Sequence, residues 1–229
     1  GQIGDTGVIE NSSESIAIFD TKKENKLIVH FAEELPNNVK SSFKAKVNAV
    51  DRKASARNHT GTHLLHESLR SILGNHVMQK GSLVNPKHLR FDFTHFSKIE
   101  KNDLQKIEQD VNAKILANIA LNEHINLSLK QAKDLDVIML FGEKYEDLVR
   151  MIQFGSSKEL CGGTHVSATG EIGLFKILSE GSTSSGIRRI EATTGENALN
   201  YLNEKDALLK TISDLVKNKD LTSGIEQLI

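Results

Sequence analysis

Hydrophobic and polar residues alternate with a period of two over the first fifty positions, which is the pattern of β-strands. Strands are predicted over residues 16–18, 27–31 and 43–47, and the polar run 22–25 is predicted to form a turn between the first two. Three or four short strands rarely fold alone, so these strands are expected to pack on the chain that follows. Residues 1–50 are therefore predicted to form a small β-barrel-like module with a glycine-rich start.

The apolar spacing changes to intervals of three and four residues after position 50, which is the pattern of amphipathic helices. A helix is predicted over residues 57–73, with Gly74 as its stop. Ser97 is predicted to cap a second helix whose apolar face spans residues 104–115. A third amphipathic helix is predicted from residue 196 to about residue 218.

Several shorter elements are predicted between these helices. They are two strands over residues 79–93, a strand over 125–129, a short helix over 131–135, strands around Phe141 and over 148–152, and two strands over 171–191 separated by a turn at 181–186. Helices and hairpins follow one another without regular strand–helix–strand order, so the predicted class is α+β, with an antiparallel sheet and packed helices. The predicted domains are the β module at 1–50, an α+β domain at 51–195 and a C-terminal linker helix at 196–229.

Composition limits the classes of protein to which the chain can belong. It has 229 residues, enough for one or two domains, and no apolar run approaches the ~20 residues that span a membrane. Lys and Arg number 29 against 30 Asp and Glu, which argues against nucleic-acid binding by bulk charge alone. A single cysteine cannot form an internal disulfide and favours a reducing compartment. Because the chain lacks an initial Met and a signal-like segment, we expect a piece cut from a longer protein.

The strongest local signal is the pair His59 and His63 in the run His-Thr-Gly-Thr-His. Two histidines four positions apart on a helix lie on the same face and can reach one metal ion. Such a pair is weak evidence alone, because it can arise by chance in a chain with nine histidines. Thr60 stands where zinc proteases of the HExxH type carry their general-base glutamate, so that class is excluded.

The second signal is the run Cys161-Gly-Gly-Thr-His165, which contains the chain's single cysteine. Its two glycines allow a sharp turn that brings both side chains together. The two motifs then supply three imidazoles and one thiol, a donor set that zinc prefers. A free cysteine is more often a small buried apolar group, but the two motifs together favour zinc. The sequence leaves open whether all four donors bind at once or whether one histidine acts as a general base.

At these residues the chain resembles the editing domain of alanyl-tRNA synthetases. The similar segments extend over nearly the whole chain and comprise residues 1–7, 57–66, 79–84, 90–93, 140–145, 159–166 and 187–192. The related editing domain of threonyl-tRNA synthetases shares the two metal motifs, but its flanking segments fit less well. The β module at residues 1–50 also indicates the alanyl type.

The resemblance implies a hydrolase that cleaves the ester bond of tRNA(Ala) mischarged with serine or glycine. In that family a zinc ion is held by the residues matching His59, His63, Cys161 and His165. The residue matching Thr62 helps to discriminate the amino-acid side chain, and the residue matching Gln79 lies in the same pocket. Thr62, Gln79, Cys161 and His165 are therefore the candidate catalytic residues.

The resemblance also implies partners for this segment. A full-length synthetase would contribute an ATP-binding aminoacylation domain before it and a C-terminal domain after it, and the enzyme would be cytoplasmic. The segment alone is expected not to aminoacylate tRNA.

A basic excess over residues 51–90 suggests where tRNA phosphates would lie, because this segment contains seven Lys and Arg but only two acidic residues. Lys80, Arg90, Arg188 and Arg189 are the candidate tRNA contacts, and an ordinary solvated surface is the alternative. Two other functions remain open at this point. One is a zinc-stabilised tRNA-binding module without catalysis, and the other is a free-standing trans-editing deacylase.

Overall fold

One long helix, α1 (Ala49–Leu73), is the scaffold for the rest of the fold. The structure, a computed structural model, describes residues 1–25, 27–139, 145–218 and 220–226. The Asn48 side chain accepts hydrogen bonds from two backbone N–H groups of the first turn, so α1 begins there and not at Arg57 as the sequence predicts. The predicted stop is confirmed, since Gly74 adopts a φ of 115° directly after the helix.

The remaining elements mix strands and helices. The strands are β1 (Gly7–Glu10), β2 (Ser15–Ile18), β3 (Asp20–Glu24), β4 (Leu27–Phe31), β5 (Lys44–Val47), β6 (Gln79–Val84), β7 (Leu89–Thr94), β8 (Asn122–Ser128), β9 (Leu148–Phe154), β10 (Ser157–Leu160), β11 (Phe175–Ser184) and β12 (Ile187–Thr194). The further helices are α2 (Lys101–Leu116), α3 (Leu129–Asp134), α4 (Gly195–Val216) and α5 (Leu221–Glu226), with a 3₁₀ turn at Thr169–Ile172.

Among the described residues the strands form four antiparallel sheets, which confirms the α+β class. The largest has the order β11-β12-β7-β6, and a second has the order β10-β9-β8. In the N-terminal module, β2-β1-β5 form one sheet and β3-β4 form a separate hairpin. Within the described part of the chain these module sheets stay open, so the module has short strands without the closure of a barrel.

The main core lies between the four-stranded sheet and the helices α1 and α2. Alternate residues of β7 point inward, and Leu89, Phe91 and Phe93 are fully buried there. Leu65 and Leu69 of α1 pack into the same cluster. Burying each of these side chains contributes about 1.5–3 kcal/mol, so this contact fixes the orientation of α1 and of the histidines along it.

Polar residues in the N-terminal module form a strand where the sequence predicts a turn. Residues 22–24 lie within β3, where Lys22 pairs with Val29 and Glu24 with Leu27 of β4. The prediction is wrong because this hairpin is largely exposed, so its strands do not need an apolar face. The change of direction begins at Asn25, whose φ of 48° lies in the left-handed region that Asn tolerates.

The second helix begins later than the capping signal predicts. Ser97 does not cap it, because the Ser97 hydroxyl lies 3.2 Å from a ring nitrogen of His95. Glu100 is the N-cap residue, and α2 starts at Lys101. The intervening Ile99 is buried in the main core, which holds this stretch outside the helix.

The other predicted elements are confirmed with shifted ends, apart from one. The strands at 79–93, 125–129, 148–152 and 171–191 correspond to β6 and β7, β8, β9, and β11 and β12. The short helix is α3, which starts at a capping box between Ser128 and Gln131. The turn predicted at 181–186 is shorter, because β11 continues to Ser184 and Gly186, with a φ of 71°, reverses the chain. The strand predicted around Phe141 lies outside the described residues.

The C-terminal helix is confirmed as α4, and a short helix, α5, follows it without having been predicted. In the described ranges, none of the helices combines the length and apolar character needed to cross a membrane.

Candidate metal centre

The two histidine and cysteine motifs meet at one point of the fold. His59 and His63 lie one turn apart on α1, and Cys161 and His165 lie on the loop after β10. One nitrogen or sulfur atom from each of the four residues lies within 4.8 Å of the others. The Cys161 Sγ is 3.4 Å from the Nε2 atoms of both His59 and His165. The residues of the two sequence motifs therefore form one cluster of four possible metal donors.

The loop that carries Cys161 is held by a single arginine from β9. The Arg150 guanidinium donates to the carbonyl of Cys161 at 3.0 Å and to that of Gly163 at 2.6 Å. Glu123 forms an ion pair with the same guanidinium at 2.5 Å. Gly163 is required at the turn, because an added Cβ would overlap the His59 ring. These contacts fix the loop against β9, and Gly163 lets the loop approach the His59 ring of α1.

Two of the imidazoles are held by polar side chains on their far nitrogens. The Nδ1 atom of His165 is 3.0 Å from the Thr60 hydroxyl, which also accepts from a backbone N–H of the loop. The Nδ1 atom of His59 is 2.9 Å from the side-chain oxygen of Gln2. In both rings the opposite nitrogen, Nε2, faces Cys161. Such outer contacts orient histidines in metal sites.

The third imidazole lies beside a buried carboxylate. The Nε2 atom of His63 lies 3.6 Å from Glu159, and the other oxygen of Glu159 is 2.9 Å from Nδ1 of His66. Burial on its own would raise the pKa of Glu159, but the neighbouring histidines outweigh burial and hold it below its usual range. The Nδ1 atom of His63 is buried without a hydrogen-bond partner. A metal ligand role would satisfy that nitrogen, which is otherwise costly to bury.

Burial sets the protonation of the donors. It lowers the pKa of His59 to about 4 and holds the pKa values of His63 and His165 well below their usual range. It raises the pKa of the Cys161 thiol to about 11. At neutral pH the three imidazoles are therefore uncharged, with a lone pair free to bind a cation.

The donor chemistry and spacing fit zinc. Imidazole nitrogen and thiolate sulfur are ligand types that zinc binds in tetrahedral sites. Ordinary zinc bond lengths would separate the sulfur from each nitrogen by about 3.6 Å in a tetrahedral site. The two sulfur–nitrogen distances of 3.4 Å in the cluster lie close to that value. Cys161, His59 and His165 therefore stand at distances that one zinc ion could bridge, and the full set of four donors lies within 4.8 Å.

One open space borders the cluster, and a second is lined by residues further along α1. A cavity of about 570 Å³ is lined by His66, Arg70, Met78 and Gln79, among others. A groove of about 610 Å³ is lined by Arg52, Lys53, Arg150 and the loop residues Gly162 to His165. Both are large enough for a nucleotide-sized group.

The two predicted substrate contacts occupy different surroundings. Gln79 lies at the start of β6 and lines the 570 Å³ cavity. Thr62 lies on α1, where its side chain is buried and its hydroxyl donates to the backbone carbonyl of Asn58 at 2.9 Å. The Thr62 oxygen keeps its capacity to accept a hydrogen bond.

The predicted tRNA contacts lie on the four-stranded sheet but not all on one face, because Arg188 stands opposite the buried Phe93 and Arg189, its neighbour along the strand, points to the other face. Lys80 is on β6, Arg90 on β7, and Arg188 and Arg189 on β12. Asp92 forms an ion pair with Arg189 at 2.6 Å and lies 3.5 Å from Arg90. Glu180 forms an ion pair with Arg188. Acidic partners thus offset part of the positive charge that the sequence places here.

Sequence reasoning did not single out three residues of the centre. Thr60 directly follows His59, and Glu159 lies two positions before Cys161, so closeness to the donors along the chain was the available signal. Gln2 lies in the glycine-rich start, and no spacing rule connects it to a metal site more than fifty residues away.

The comparison with protein families supports the assignment of the cysteine motif to a known domain. A family described as "Threonyl and Alanyl tRNA synthetase second additional domain" matches residues 149–191. This range extends from β9 into β12 and includes the loop with Cys161 and His165.

Similar curated proteins share one name. The chain is 50% identical to the "Alanine--tRNA ligase" of Flavobacterium psychrophilum over 100% of the chain and 28% of that protein. It is 54% identical to the protein of that name from Bacteroides fragilis, over 94% of the chain and 24% of the relative. For Cytophaga hutchinsonii the identity is 50%, over 100% of the chain and 26% of the relative. The chain thus spans about a quarter of the length of these relatives.

Proposed function

Because the chain belongs to the alanyl-tRNA synthetase family and corresponds to its editing domain, we propose that it hydrolyses the ester bond of tRNA(Ala) mischarged with serine or glycine. The observation that carries the proposal is the convergence of His59, His63, Cys161 and His165 within 4.8 Å. The cofactor we propose is one zinc ion on these four residues.

The need for such an activity follows from the size of the amino acids. A synthetic pocket for alanine cannot exclude the smaller glycine, and it rejects serine poorly because one hydroxyl adds little bulk. A second site that hydrolyses the wrong esters removes both products. We propose that the aminoacylation domain lies in the remainder of the synthetase, so this segment alone would not activate alanine.

The ester bond is already activated, so the site has to orient the substrate and stabilise charge. When bound, a zinc ion would supply a Lewis acid beside the ester. The Gly163 N–H points to the Cys161 sulfur at 3.4 Å, which leaves the Gly162 N–H, at the edge of the 610 Å³ groove, to donate to the developing oxyanion. Arg150 holds the loop in place for this contact.

Two side chains are proposed to read the amino acid. The Thr62 oxygen would accept a hydrogen bond from the serine hydroxyl, since its own proton is already donated to a backbone carbonyl. Gln79 would contact the substrate in the cavity that it shares with His66. Thr62→Val is expected to slow hydrolysis of Ser-tRNA(Ala) more than that of Gly-tRNA(Ala), because glycine has no hydroxyl.

The tRNA backbone is proposed to lie across the four-stranded sheet and the groove beside the centre. Lys80, Arg90, Arg188 and Arg189 remain the proposed phosphate contacts. Lys80→Ala is expected to weaken tRNA binding and to reduce its salt dependence, because each phosphate contact releases bound counterions.

The test is deacylation of purified Ser-tRNA(Ala), Gly-tRNA(Ala) and Ala-tRNA(Ala) by the chain, with zinc content measured in parallel. We expect hydrolysis of the first two, sparing of the third, and loss of both activities in Cys161→Ala. Stoichiometric zinc without hydrolysis of Ser-tRNA(Ala) would contradict the proposal and select a tRNA-binding module without catalysis. ATP–pyrophosphate exchange with alanine by this segment would contradict the assignment of aminoacylation to other domains.

A further inference from the structure

The glycine-rich start of the chain runs along the edge of the four-stranded sheet. The N–H of Val84 in β6 donates to the carbonyl of Gly1 at 2.7 Å, and the N–H of Ile3 donates to the carbonyl of Val84 at 3.0 Å. Gln2 forms a parallel bridge with Val84. An added Cβ at Gly1 would overlap Ser82, so the close approach of this segment requires glycine. The backbone on both sides of Gln2 is therefore fixed.

The side chain of Gln2 reaches the metal centre from this edge. Its Oε1 atom accepts a hydrogen bond from the Thr164 N–H at 3.0 Å and lies 3.1 Å from the Thr164 hydroxyl. The same oxygen is 2.9 Å from Nδ1 of His59. One amide oxygen thus joins α1 to the loop between Cys161 and His165.

The backbone N–H of Thr164 determines the protonation of the facing imidazole. A backbone N–H can only donate, so the atom of Gln2 that faces it must be the oxygen and not the amide nitrogen. An amide oxygen can only accept, so Nδ1 of His59 must carry the proton. The lone pair of the uncharged ring then lies on Nε2, the atom 3.4 Å from the Cys161 sulfur.

We propose that Gln2 is a positioning residue for the metal centre, which fixes His59 in the tautomer that can bind the ion and ties His59 to the ligand loop. Gly163 supports this contact, because an added Cβ there would lie 2.9 Å from the Gln2 oxygen and would overlap the His59 ring. The N-terminal segment therefore completes the site from outside the two metal motifs. The inference rests on the proposed metal centre and not on ester hydrolysis.

The test compares the wild type with Gln2→Ala and Gln2→Glu. Gln2→Ala removes the acceptor, and we expect its zinc affinity to fall ~10- to 100-fold, the effect usual for loss of an outer hydrogen bond to a histidine ligand. Gln2→Glu keeps an acceptor of the same length and is expected to bind zinc within about threefold of the wild type, because either carboxylate oxygen can accept from all three donors. Gln105→Ala, on the exposed face of α2, is the matched control.

Two readouts make the test independent of activity. Zinc affinity is measured by competition with a chromophoric chelator, and the His59 tautomer is read from the ¹⁵N shifts of its ring in the metal-free protein. We expect Nδ1–H in the wild type and in Gln2→Glu, and a mixture of tautomers in Gln2→Ala before zinc is added. Wild-type affinity and an unchanged tautomer in Gln2→Ala would overturn the inference, and so would a Gln2→Glu variant as weak as Gln2→Ala. A wild type that binds zinc but hydrolyses no ester would refute the proposed function, while the zinc affinities of the Gln2 variants would still test the positioning role.

Discussion

The two adjacent glycines of the ligand loop should respond in opposite ways to the same substitution. An added Cβ at Gly163 would overlap the His59 ring, nearer than the 3.0 Å that real Cβ atoms keep, whereas one at Gly162 would meet nothing within 4 Å. Neither glycine has a positive φ, so alanine is compatible with the backbone at both positions. Gly163→Ala therefore perturbs the metal centre, and Gly162→Ala is its matched control.

The size of the effect follows from the geometry of the donors. To relieve the overlap in Gly163→Ala, the His59 ring would have to retreat by about 1 Å, which exceeds the roughly 0.2 Å tolerance of a metal–ligand bond. Overpacking of this kind costs about 1–3 kcal/mol, and each 1.4 kcal/mol is a tenfold change in affinity. We expect zinc affinity to fall ~10- to 100-fold in Gly163→Ala and to stay within about threefold in Gly162→Ala.

The assay is competition for zinc against a chromophoric chelator, with far-UV circular dichroism to check that both variants are folded. The clash at Gly163 involves a side chain that can move, so the fold should survive. Wild-type zinc affinity in a folded Gly163→Ala variant would refute the reasoning, because His59 would then not need its present position to bind the ion. An equal loss in Gly162→Ala would show that the loop, and not the overlap, is responsible.

Three further predictions test the protonation and the packing of the structure. Zinc binding should release about one proton between pH 5.5 and 8, from the Cys161 thiol, and zinc affinity should rise about tenfold per pH unit. The imidazoles release none, because they are already uncharged in this range, with a pKa of about 4 for His59. The number of protons is measured by calorimetry in buffers of different ionisation enthalpy, and a release of about three would contradict the prediction. Asn58→Ala should lower the free energy of unfolding by roughly 1–3 kcal/mol, because a buried threonine hydroxyl loses its acceptor, and urea denaturation at the wild-type midpoint would disprove it. Phe91→Ala should lower it by about 3–5 kcal/mol, while Phe96→Ala, at an 88% exposed position, should change it by less than about 0.5 kcal/mol; similar losses in both would argue against the proposed core.

The local pattern of the sequence was sufficient for most elements and for the convergence of the four candidate donors. The intervals of three and four residues after position 50 predict α1, and the same helical spacing places His59 one turn from His63. Each metal motif has a common alternative explanation by itself, so only the two taken together allowed their pairing to be predicted from ligand chemistry. The start of α1 was missed because Asn48 follows a strand and not a loop.

The contacts that orient the donors could not be predicted in the same way. Gln2 and Thr164 are 162 positions apart, and their hydrogen bonds depend on how the N-terminal segment lies against β6. Thr60 supports His165 only because α1 packs beside the ligand loop. Such contacts are set by tertiary packing, and neither propensity nor periodicity contains them.

The surface charge shows a similar division between local and tertiary information. The sequence places a basic excess near the site, but it does not reveal that Asp92 lies between Arg90 and Arg189. Because paired charges attract phosphates less strongly than unpaired ones, the arginines of the sheet should contribute less to tRNA binding than their number suggests.

The central claim is that the four convergent donors hold one zinc ion on which hydrolysis of mischarged tRNA(Ala) depends. The most direct measurement is a titration of zinc into metal-free protein while the rate of Ser-tRNA(Ala) hydrolysis is followed. We predict that the rate rises in proportion to added zinc and levels off at one equivalent, and that Cys161→Ala shows no such rise. A metal-free protein that already hydrolyses Ser-tRNA(Ala) at the full rate, or a protein with one bound equivalent that hydrolyses none, would contradict the account.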